Sequence, residues 1–225
     1  MSKTARVTGF YGRWARLYDL LASQTPGIGS LRTRAAAACR LDPGDTVVEM
    51  GCGTGANFPY LREAVGASGT VIGADLTPGM LHRARARIER AGWVNVHLMQ
   101  GDATQPPIDT EIDAILATFV VGMFDDPESA VARWCELLAP DGRLALLDAT
   151  RSDRASMRPF NAAFRGFVTA TTPPGWKLRY DRSPTDALDE RVTQARKTLA
   201  DRGTIDLDRR FALGYLRLTA GSSQA

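Results

Sequence analysis

Residues 46–57, TVVEMGCGTGAN, decide the fold of this chain. The apolar run predicts a buried strand, and the glycines at positions 51, 53 and 55 predict a sharp turn into a helix. Glycine lacks a side chain, so the backbone can turn tightly there and a ligand can approach closely. Glu49 precedes the first glycine by two residues. The stretch therefore predicts a nucleotide-type binding loop, with a bare tight turn as the alternative.

Predicted strands and helices alternate after this loop. Strands are predicted near residues 70–74, 94–99, 113–117 and 143–148, and helices near 57–65, 78–91 and 127–138, with a turn at 140–142. A further helix is predicted before the loop, at 31–40. Such alternation is typical of a parallel sheet with helices on both faces. Asp75, Asp102 and Thr118 follow the strands, where ligands of open α/β sheets bind.

Four motifs in this order resemble those of class I S-adenosylmethionine-dependent methyltransferases. They are VVEMGCGTG (47–55), GADLTPGML (73–81), QGDA (100–103) and LAPDGRLALLD (138–148). The resemblance covers residues 42–148, about half of the chain. Outside it, FYGRWARLYDLL (10–21) and FALGYLRL (211–218) resemble the ubiquinone/menaquinone C-methyltransferase group and, equally, relatives that methylate phospholipid head groups.

The resemblance implies a Rossmann-like, doubly wound, seven-stranded α/β sheet that ends in an antiparallel hairpin. We expect a single domain over residues 1–225. Its parts are N-terminal helices (1–41), a cofactor-binding core (42–149), a candidate helical substrate cap (150–184), and a final helix and terminal hairpin (185–225). The last helix is expected near 184–200 with Ser183 as its cap, and the hairpin strands near 204–207 and 212–218.

The implied cofactor is S-adenosylmethionine. Glu49 can bind its amino group, directly or through water; the alternative is a solvent-exposed acid at a strand end. Asp75 has two carboxylate oxygens that can accept both ribose hydroxyls, and its alternative role is a helix cap. Asp102 can accept from the adenine amino group, with the Ala103 N–H nearby.

Other residues are assigned to the same ligand. They are the loop residues Gly51, Cys52, Gly53, Gly55 and Asn57, the adenine-side Leu76 and Met80, Thr118 and Phe119 along the methionine arm, and Tyr11 and Tyr18 at the N-terminal helix. Leu76 and Met80 could equally be core residues, and the two tyrosines could be packing aromatics.

The acceptor is expected to be hydrophobic. After the fourth strand the chain reads ATFVVGMF (117–124), which lacks the D/N-P-P-Y motif of adenine or glutamine amino-group methyltransferases and the Pro-Cys of covalent pyrimidine methylation. Met123 and the helically spaced Phe160, Phe164 and Phe167 are candidate acceptor contacts. We hypothesise a prenylated quinone precursor or a lipid head group. Alternatively, the phenylalanines are core against the sheet, which we expect for at least two of the three.

Two acids are candidates for a catalytic base if the acceptor must lose a proton. Asp148 ends the predicted fifth strand, and Asp153 follows it. The favoured interpretation for both is a charged partner of Arg151 or Arg154.

Composition narrows the class of protein. The 225 residues suit one α/β domain. No apolar run approaches the ~18 residues of a membrane span, and residues 1–13 lack the apolar centre of a signal peptide, so we expect a cytoplasmic protein. Its three cysteines form no C-x-x-C pair, and His82 and His97 are isolated, so no metal site is expected. Cys52 is interpreted as filler in the loop and Cys135 as core.

Charge is unevenly distributed, since residues 1–40, 41–150 and 151–225 contribute +6, −9 and +6 to the net +3. The basic ends could attract an anionic substrate, the inner membrane surface as a peripheral contact, or nucleic acid; they could also be a solvated surface. No nucleic-acid motif is recognised, so that partner is not expected. The expected partner is a small or lipid-like substrate, and the oligomeric state is left open.

Two other functions compete with methyl transfer. G-C-G-T-G-A (51–56) also satisfies the relaxed dinucleotide fingerprint of a nicotinamide-dependent oxidoreductase. The terminal hairpin and the QGDA and LAPDG segments oppose that interpretation. A non-catalytic nucleotide-binding module is the third possibility.

Overall fold

Five apolar segments form the parallel part of one sheet. They are β1 (Thr46–Met50), β2 (Thr70–Asp75), β3 (Val96–Gln100), β4 (Ile112–Thr118) and β5 (Leu138–Ala149). This computed structural model describes residues 27–171 and 183–223 of the chain. Residues 47–50 of β1 are all buried, as expected for a central strand covered on both faces.

A terminal hairpin completes the sheet. Its strands are β6 (Gly203–Phe211) and β7 (Leu216–Ser223), and β7 lies antiparallel to both β5 and β6. The seven strands follow the order β3-β2-β1-β4-β5-β7-β6. The chain order reverses between β1 and β4, so their carboxyl ends form the crevice in which ligands of doubly wound sheets bind. The predicted fold class is confirmed.

The described part of the chain contains six helices. They are α1 (Ile28–Ala38), α2 (Phe58–Val65), α3 (Pro78–Ala91), α4 (Pro127–Leu137), α5 (Arg158–Thr171) and α6 (Pro184–Arg202). Proline near the start of α2, α3, α4 and α6 favours these positions as helix beginnings, because proline has no N–H to leave unpaired there. At α4, the Asp126 carboxylate also accepts the Ser129 N–H at 3.0 Å.

The core has two layers, one on each face of the sheet. One layer packs α1, α2 and α3 residues such as Ala35, Phe58 and Leu81 against alternate strand residues. The other layer packs α4 and α6, through Trp134 and Val192, against the remaining strand residues. Within the described ranges no helix is both long and apolar enough to cross a membrane.

Several element boundaries differ from the prediction. The turn predicted at 140–142 lies inside β5, which begins at Leu138; Asp141 has φ 64°, and the pairing with β4 shifts register there. The second hairpin strand begins at Leu216 rather than at residue 212, because Ala212–Gly214 form a 3₁₀ turn. Tertiary pairing extends or shortens a strand beyond what its apolar pattern indicates.

The predicted helix cap is only half right. Ser183 occupies the position before α6, but its side chain makes no capping hydrogen bond. The start of β3 also moves, from residue 94 to Val96. Asn95, just before it, donates its side-chain amide to the carbonyls of Gly66 and Gly69, at 2.9 and 2.7 Å.

The core assignment of the phenylalanine stripe is wrong. Phe160 and Phe167 are 58% and 56% exposed. Phe164 packs its ring on Tyr215, with centroids 5.2 Å apart. The reason is that α4 and α6 already cover this face of the sheet, so α5 lies against α6 and the hairpin.

Candidate active site

The three glycines of the loop differ in what surrounds them. All have left-handed backbone, with φ of 68°, 55° and 72° at Gly51, Gly53 and Gly55. A Cβ at Gly51 would lie 2.6 Å from a Val120 methyl, and one at Gly55 would enter the Phe58 ring. A Cβ at Gly53 would meet nothing within 4 Å. Two glycines therefore pack the loop onto the core, and Gly53 leaves an open side on which a ligand fits.

Asp75 joins the loop to the end of β2. Its Oδ2 accepts the Gly53 N–H at 2.9 Å, and its Oδ1 accepts the Thr77 N–H at 2.8 Å. Each carboxylate oxygen can accept a second hydrogen bond, so both ribose hydroxyls of a nucleoside fit. Burial raises the pKa of Asp75, and the Thr77 and Gly53 amides counteract it. Thr77, not Asp75, occupies the cap position of α3.

Glu49 lies at the end of β1 and is 1% exposed, so it is not a solvated acid. Its Oε1 accepts the Asn57 amide at 2.5 Å and the Thr118 hydroxyl at 3.5 Å. Its Oε2 is buried and has no hydrogen-bond partner in the described structure. Burial raises the pKa of Glu49 to about 7, against the lowering effects of Asn57 and Arg32. A cationic amine would satisfy Oε2 and restore the charge.

The end of β4 carries local backbone strain. Phe119 has φ 58°, which is rare for an aromatic residue, and its N–H donates to the Leu147 carbonyl at 2.8 Å. Thr118 contacts Glu49 and Asn57 through its hydroxyl. Strained residues of this kind cluster at ligand sites. The fold therefore places the Thr118 hydroxyl in hydrogen-bond contact with Glu49, next to the strained Phe119.

The residues predicted to bind the adenine are less buried, taken together, than Glu49 and Asn57. Asp102 is exposed, and its Oδ1 accepts both the N–H and the hydroxyl of Thr104, at 2.9 and 2.8 Å. Ala103 is buried, and its carbonyl accepts the Trp134 indole N–H at 2.7 Å. Leu76 is half-buried, whereas Met80 is 5% exposed.

The cysteines and histidines are placed as the sequence predicts. Cys52 and Cys135 are buried free thiols whose pKa values are raised by burial. His82 and His97 are exposed. The described residues form no His, Cys, Asp and Glu cluster that could hold a metal.

The two candidate bases lie apart from Glu49. Asp148 is 3% exposed and shares the α6 face of β5 with Leu146. Burial raises its pKa to about 7, with Arg196 of α6 opposing. Asp153 pairs with Arg210 at 3.3 Å. This placement favours structural roles for both acids.

Arg151, which was expected to pair with Asp148 or Asp153, pairs with other aspartates. Arg151 binds Asp186 and Asp189 of α6, at 2.8 and 2.5 Å, instead of Asp148 or Asp153. Since those aspartates follow Arg151 by more than thirty residues, the sequence pattern does not indicate the pairing. These ion pairs hold the start of α6 on the chain segment that follows β5.

The residues predicted to contact the methyl acceptor lie on two separate elements of the structure. Met123 is half-buried in the 3₁₀ turn Val121–Met123. Phe160 and Phe167 are exposed on α5, and Phe164 is packed on the hairpin. Tyr11 and Tyr18 lie outside the described residues.

Sequence reasoning missed a buried arginine. Arg32 of α1 is 7% exposed, and its Nη1 donates to Asn57 Oδ1 at 2.6 Å. Asn57 is 1% exposed and makes no capping bond to α2. The sequence could have indicated that Arg32 is buried, because it precedes Ala35 by three residues and Ala36 by four. That spacing puts it on the same apolar helix face. Phe58 and Trp134 were also missed as supports of the site.

These residues fit S-adenosylmethionine. The unpartnered Glu49 oxygen suits its amine, the two oxygens of Asp75 suit its ribose, and the open side of Gly53 admits its close approach. The glycine loop lies between the two acids along adjacent strands β1 and β2.

Comparison with known proteins agrees with this geometry. Residues 47–142 match the family described as "Methyltransferase domain". The chain is 32% identical over 136 residues to nocamycin O-methyltransferase of Saccharothrix syringae, covering 58% of this chain and 49% of that protein. It is 31% identical over 153 residues to the ubiquinone/menaquinone biosynthesis C-methyltransferase UbiE of Vibrio vulnificus, covering 66% and 59%. The chain thus matches about half of each relative's length.

A solved structure agrees over nearly the whole chain. The crystal structure of a SAM-dependent methyltransferase from Aquifex aeolicus has a TM-score of 0.69 at 18% identity, covering 95% of this chain and 98% of that one. At this identity the similarity concerns the fold. Residues 47–142 therefore match a methyltransferase domain, and the chain resembles the ubiquinone/menaquinone C-methyltransferase UbiE in sequence and the Aquifex aeolicus SAM-dependent methyltransferase in fold.

Proposed function

We propose that this protein transfers the methyl group of S-adenosylmethionine to a small, hydrophobic acceptor. The observation that carries the proposal is the pair of acids at the ends of β1 and β2. Glu49 keeps one buried oxygen without a partner, and Asp75 is fixed by the loop amide of Gly53. The pair is spaced by an open glycine loop, as recognition of an amine and a ribose on one ligand requires.

The proposed role of these residues is binding and orientation. Glu49 binds the amino group, Asp75 the ribose, and Asp102 with the Ala103 N–H the adenine; Leu76 and Met80 line the adenine, and Thr118 and Phe119 the methionine arm. The cofactor supplies an already activated methyl group when bound. The protein then contributes alignment with the acceptor and exclusion of water.

The proposed acceptor is a prenylated quinone precursor or a lipid head group. Supporting observations are the half-buried Met123 and the two exposed phenylalanines of α5, which follow the carboxyl end of β5. The UbiE relative is named for ubiquinone and menaquinone biosynthesis. Nocamycin O-methyltransferase supports a second candidate, O-methylation of another small molecule. A cytoplasmic location with peripheral membrane contact through the basic ends belongs to the same proposal.

Ligand titration tests the cofactor. We expect saturable binding of S-adenosylhomocysteine in calorimetry and no binding of NADH. Asp75→Ala should abolish the first signal, while Asp109→Asn, at an exposed position, should not change it. Binding of NADH in preference to S-adenosylhomocysteine would overturn the proposal.

Product labelling tests the acceptor. The protein is incubated with methyl-labelled S-adenosylmethionine and a lipid extract of the native cell, and the label is then located. We expect an organic-soluble product that is absent with Asp75→Ala. Label found only in water-soluble small molecules would remove the lipid-like acceptor and leave the methyltransferase.

A further inference from the structure

A chain of buried polar side chains leads from α1 to the carboxylate of Glu49. The guanidinium Nη1 of Arg32 donates to Asn57 Oδ1 at 2.6 Å. Asn57 Nδ2 donates to Glu49 Oε1 at 2.5 Å and to the Thr118 hydroxyl oxygen at 3.0 Å. These four residues are between 1% and 9% exposed. They come from α1, β1, the start of α2 and β4, so only the tertiary structure joins them.

The hydrogen bonds that link these side chains run in one direction, from Arg32 through Asn57 to Glu49. An asparagine amide has an accepting oxygen and a donating nitrogen. Because Arg32 can only donate, it takes the amide oxygen and turns the Asn57 nitrogen toward Glu49. That nitrogen occupies Oε1, which leaves Oε2 as the oxygen without a partner. Arg32 thus determines which carboxylate oxygen remains for a ligand.

The amide also keeps the two charges apart. No direct ion pair between Arg32 and Glu49 is formed in the described structure, where Asn57 lies between them. A direct pair would neutralise the carboxylate from the side opposite the ligand. Burying both charges is costly in free energy unless each finds polar partners. The bridged arrangement supports Glu49 while leaving its attraction for an external cation.

We propose that Arg32 and Asn57 are positioning residues, which hold Glu49 so that its free oxygen recognises the amino group of the cofactor. The inference rests on the proposed function. It assigns to α1, which lies outside the matched family region of residues 47–142, a role in selecting the amino-acid end of the ligand. Neither residue need touch the cofactor for this role.

The charges around Glu49 predict a pH effect. Arg32 lowers the pKa of Glu49, whereas Asp75 of β2 raises it. Cys52 of the loop is neutral, because burial raises its pKa well above the ordinary value. The side chains that contact Glu49 from the start of α2 and from β4 are the uncharged Asn57 and Thr118. Removing the guanidinium should therefore move the pH midpoint of amine recognition upward, above the value near 7 expected for the native site.

Two ligands separate positioning from general structural support. S-adenosylhomocysteine carries the amino-acid end, and 5′-methylthioadenosine carries adenine and ribose without it. Dissociation constants for both are measured between pH 6 and 9 by calorimetry. The variants are Arg32→Met and Arg32→Lys, and Arg34→Met, on an exposed position of α1, is the matched control.

We expect Arg32→Met to weaken S-adenosylhomocysteine about tenfold, as for loss of one hydrogen bond to a charged group. Binding of 5′-methylthioadenosine should stay unchanged, and the pH midpoint should rise. Arg32→Lys, which keeps the charge, should fold and restore part of the affinity. Arg34→Met should match the native protein.

Equal weakening of both ligands by Arg32→Lys, or no weakening of S-adenosylhomocysteine by either variant, would overturn the positioning role. These outcomes leave the proposed function standing, since the native protein still binds both ligands. Failure of the native protein to bind either ligand would overturn the proposed function and this inference together.

Discussion

The two ends of the ligand crevice differ in how they are built. At β1 and β2, Glu49 and Asp75 belong to strands and are fixed by hydrogen bonds to the glycine loop and to Asn57. Beyond β5, three of the four candidate acceptor residues lie on α5, where Phe160 and Phe167 are more than half exposed. The first end is built from core strands, whereas the second lies on a helix outside the core. This contrast is expected when one ligand is constant and the other varies among relatives.

The largest expected effect comes from breaking the rigid end at Asp75. Asp75→Ala removes two acceptors for ribose and releases the Gly53 amide. We expect the dissociation constant of S-adenosylhomocysteine to rise about a hundredfold to a thousandfold, from several charge-assisted hydrogen bonds. Because the ribose contact is lost, 5′-methylthioadenosine should weaken by a similar factor. Retention of 5′-methylthioadenosine affinity in calorimetry would show that Asp75 does not bind the ribose.

Asp148, near the carboxyl end of β5, tests whether a buried carboxyl group on this side of the sheet has a structural role. Its pKa is raised by burial to about 7 from an ordinary value of 3.8. Between these two pH values the folded state therefore binds more protons than the unfolded state, and stability falls as pH rises through this window. We expect Asp148→Asn to raise the free energy of unfolding at pH 8 by on the order of 2 to 4 kcal/mol.

At pH 4 the native protein and Asp148→Asn should be nearly equal in stability. Urea unfolding at the two pH values measures the difference, with the exposed Asp109→Asn as the control. A variant that is less stable than the native protein at pH 8 would indicate that the ionised carboxylate supports the fold. Retained binding of S-adenosylhomocysteine is expected throughout, because Asp148 lies on the opposite face of the sheet from Glu49.

Glu49→Gln sharpens the comparison within the rigid end. The amide cannot carry the negative charge that attracts the cofactor amine, so S-adenosylhomocysteine should weaken about tenfold to a hundredfold above pH 7. Below pH 6 the native Glu49 is largely protonated, so the two proteins should converge. Unlike Asp75→Ala, this variant should leave 5′-methylthioadenosine binding unchanged. Calorimetry at pH 6 and 8 checks both statements.

The smallest expected effect concerns α5. Replacing Phe160 with serine should leave the unfolding free energy within about 0.5 kcal/mol, since its ring is exposed. The KM for a hydrophobic acceptor should rise about threefold to tenfold, from the lost apolar contact area. Cofactor binding should not change. Phe164→Ser is the contrasting variant, because its ring packs on Tyr215 and its loss should lower stability.

Equal weakening of acceptor and cofactor binding by Phe160→Ser would contradict an acceptor role for α5. A loss of stability equal to that of Phe164→Ser would show that the Phe160 ring is covered in solution. Either result would remove the contrast between the two ends of the crevice.

Local sequence was sufficient for the strand–loop–helix unit at residues 46–65. An apolar run, glycines that tolerate positive φ and a proline at the helix start act over a few residues, so the pattern predicts β1, the loop and α2 to within one residue. The resemblance of four motifs to class I methyltransferases implied the seven-stranded sheet with its hairpin, and the strand order confirms it. The positions of Glu49 near the end of β1 and of Asp75 at the end of β2 could be predicted because each depends on the pattern of its own strand.

Only the tertiary structure decided the partners of these groups. Arg32 reaches Asn57 across 25 residues, and Thr118 reaches Glu49 across 69. Arg151 binds α6 instead of its sequence neighbours, and α5 lies outside the core because other helices already occupy the sheet face. Backbone conformation depends on neighbouring residues, whereas burial and the pairing of charges depend on which surfaces meet after folding.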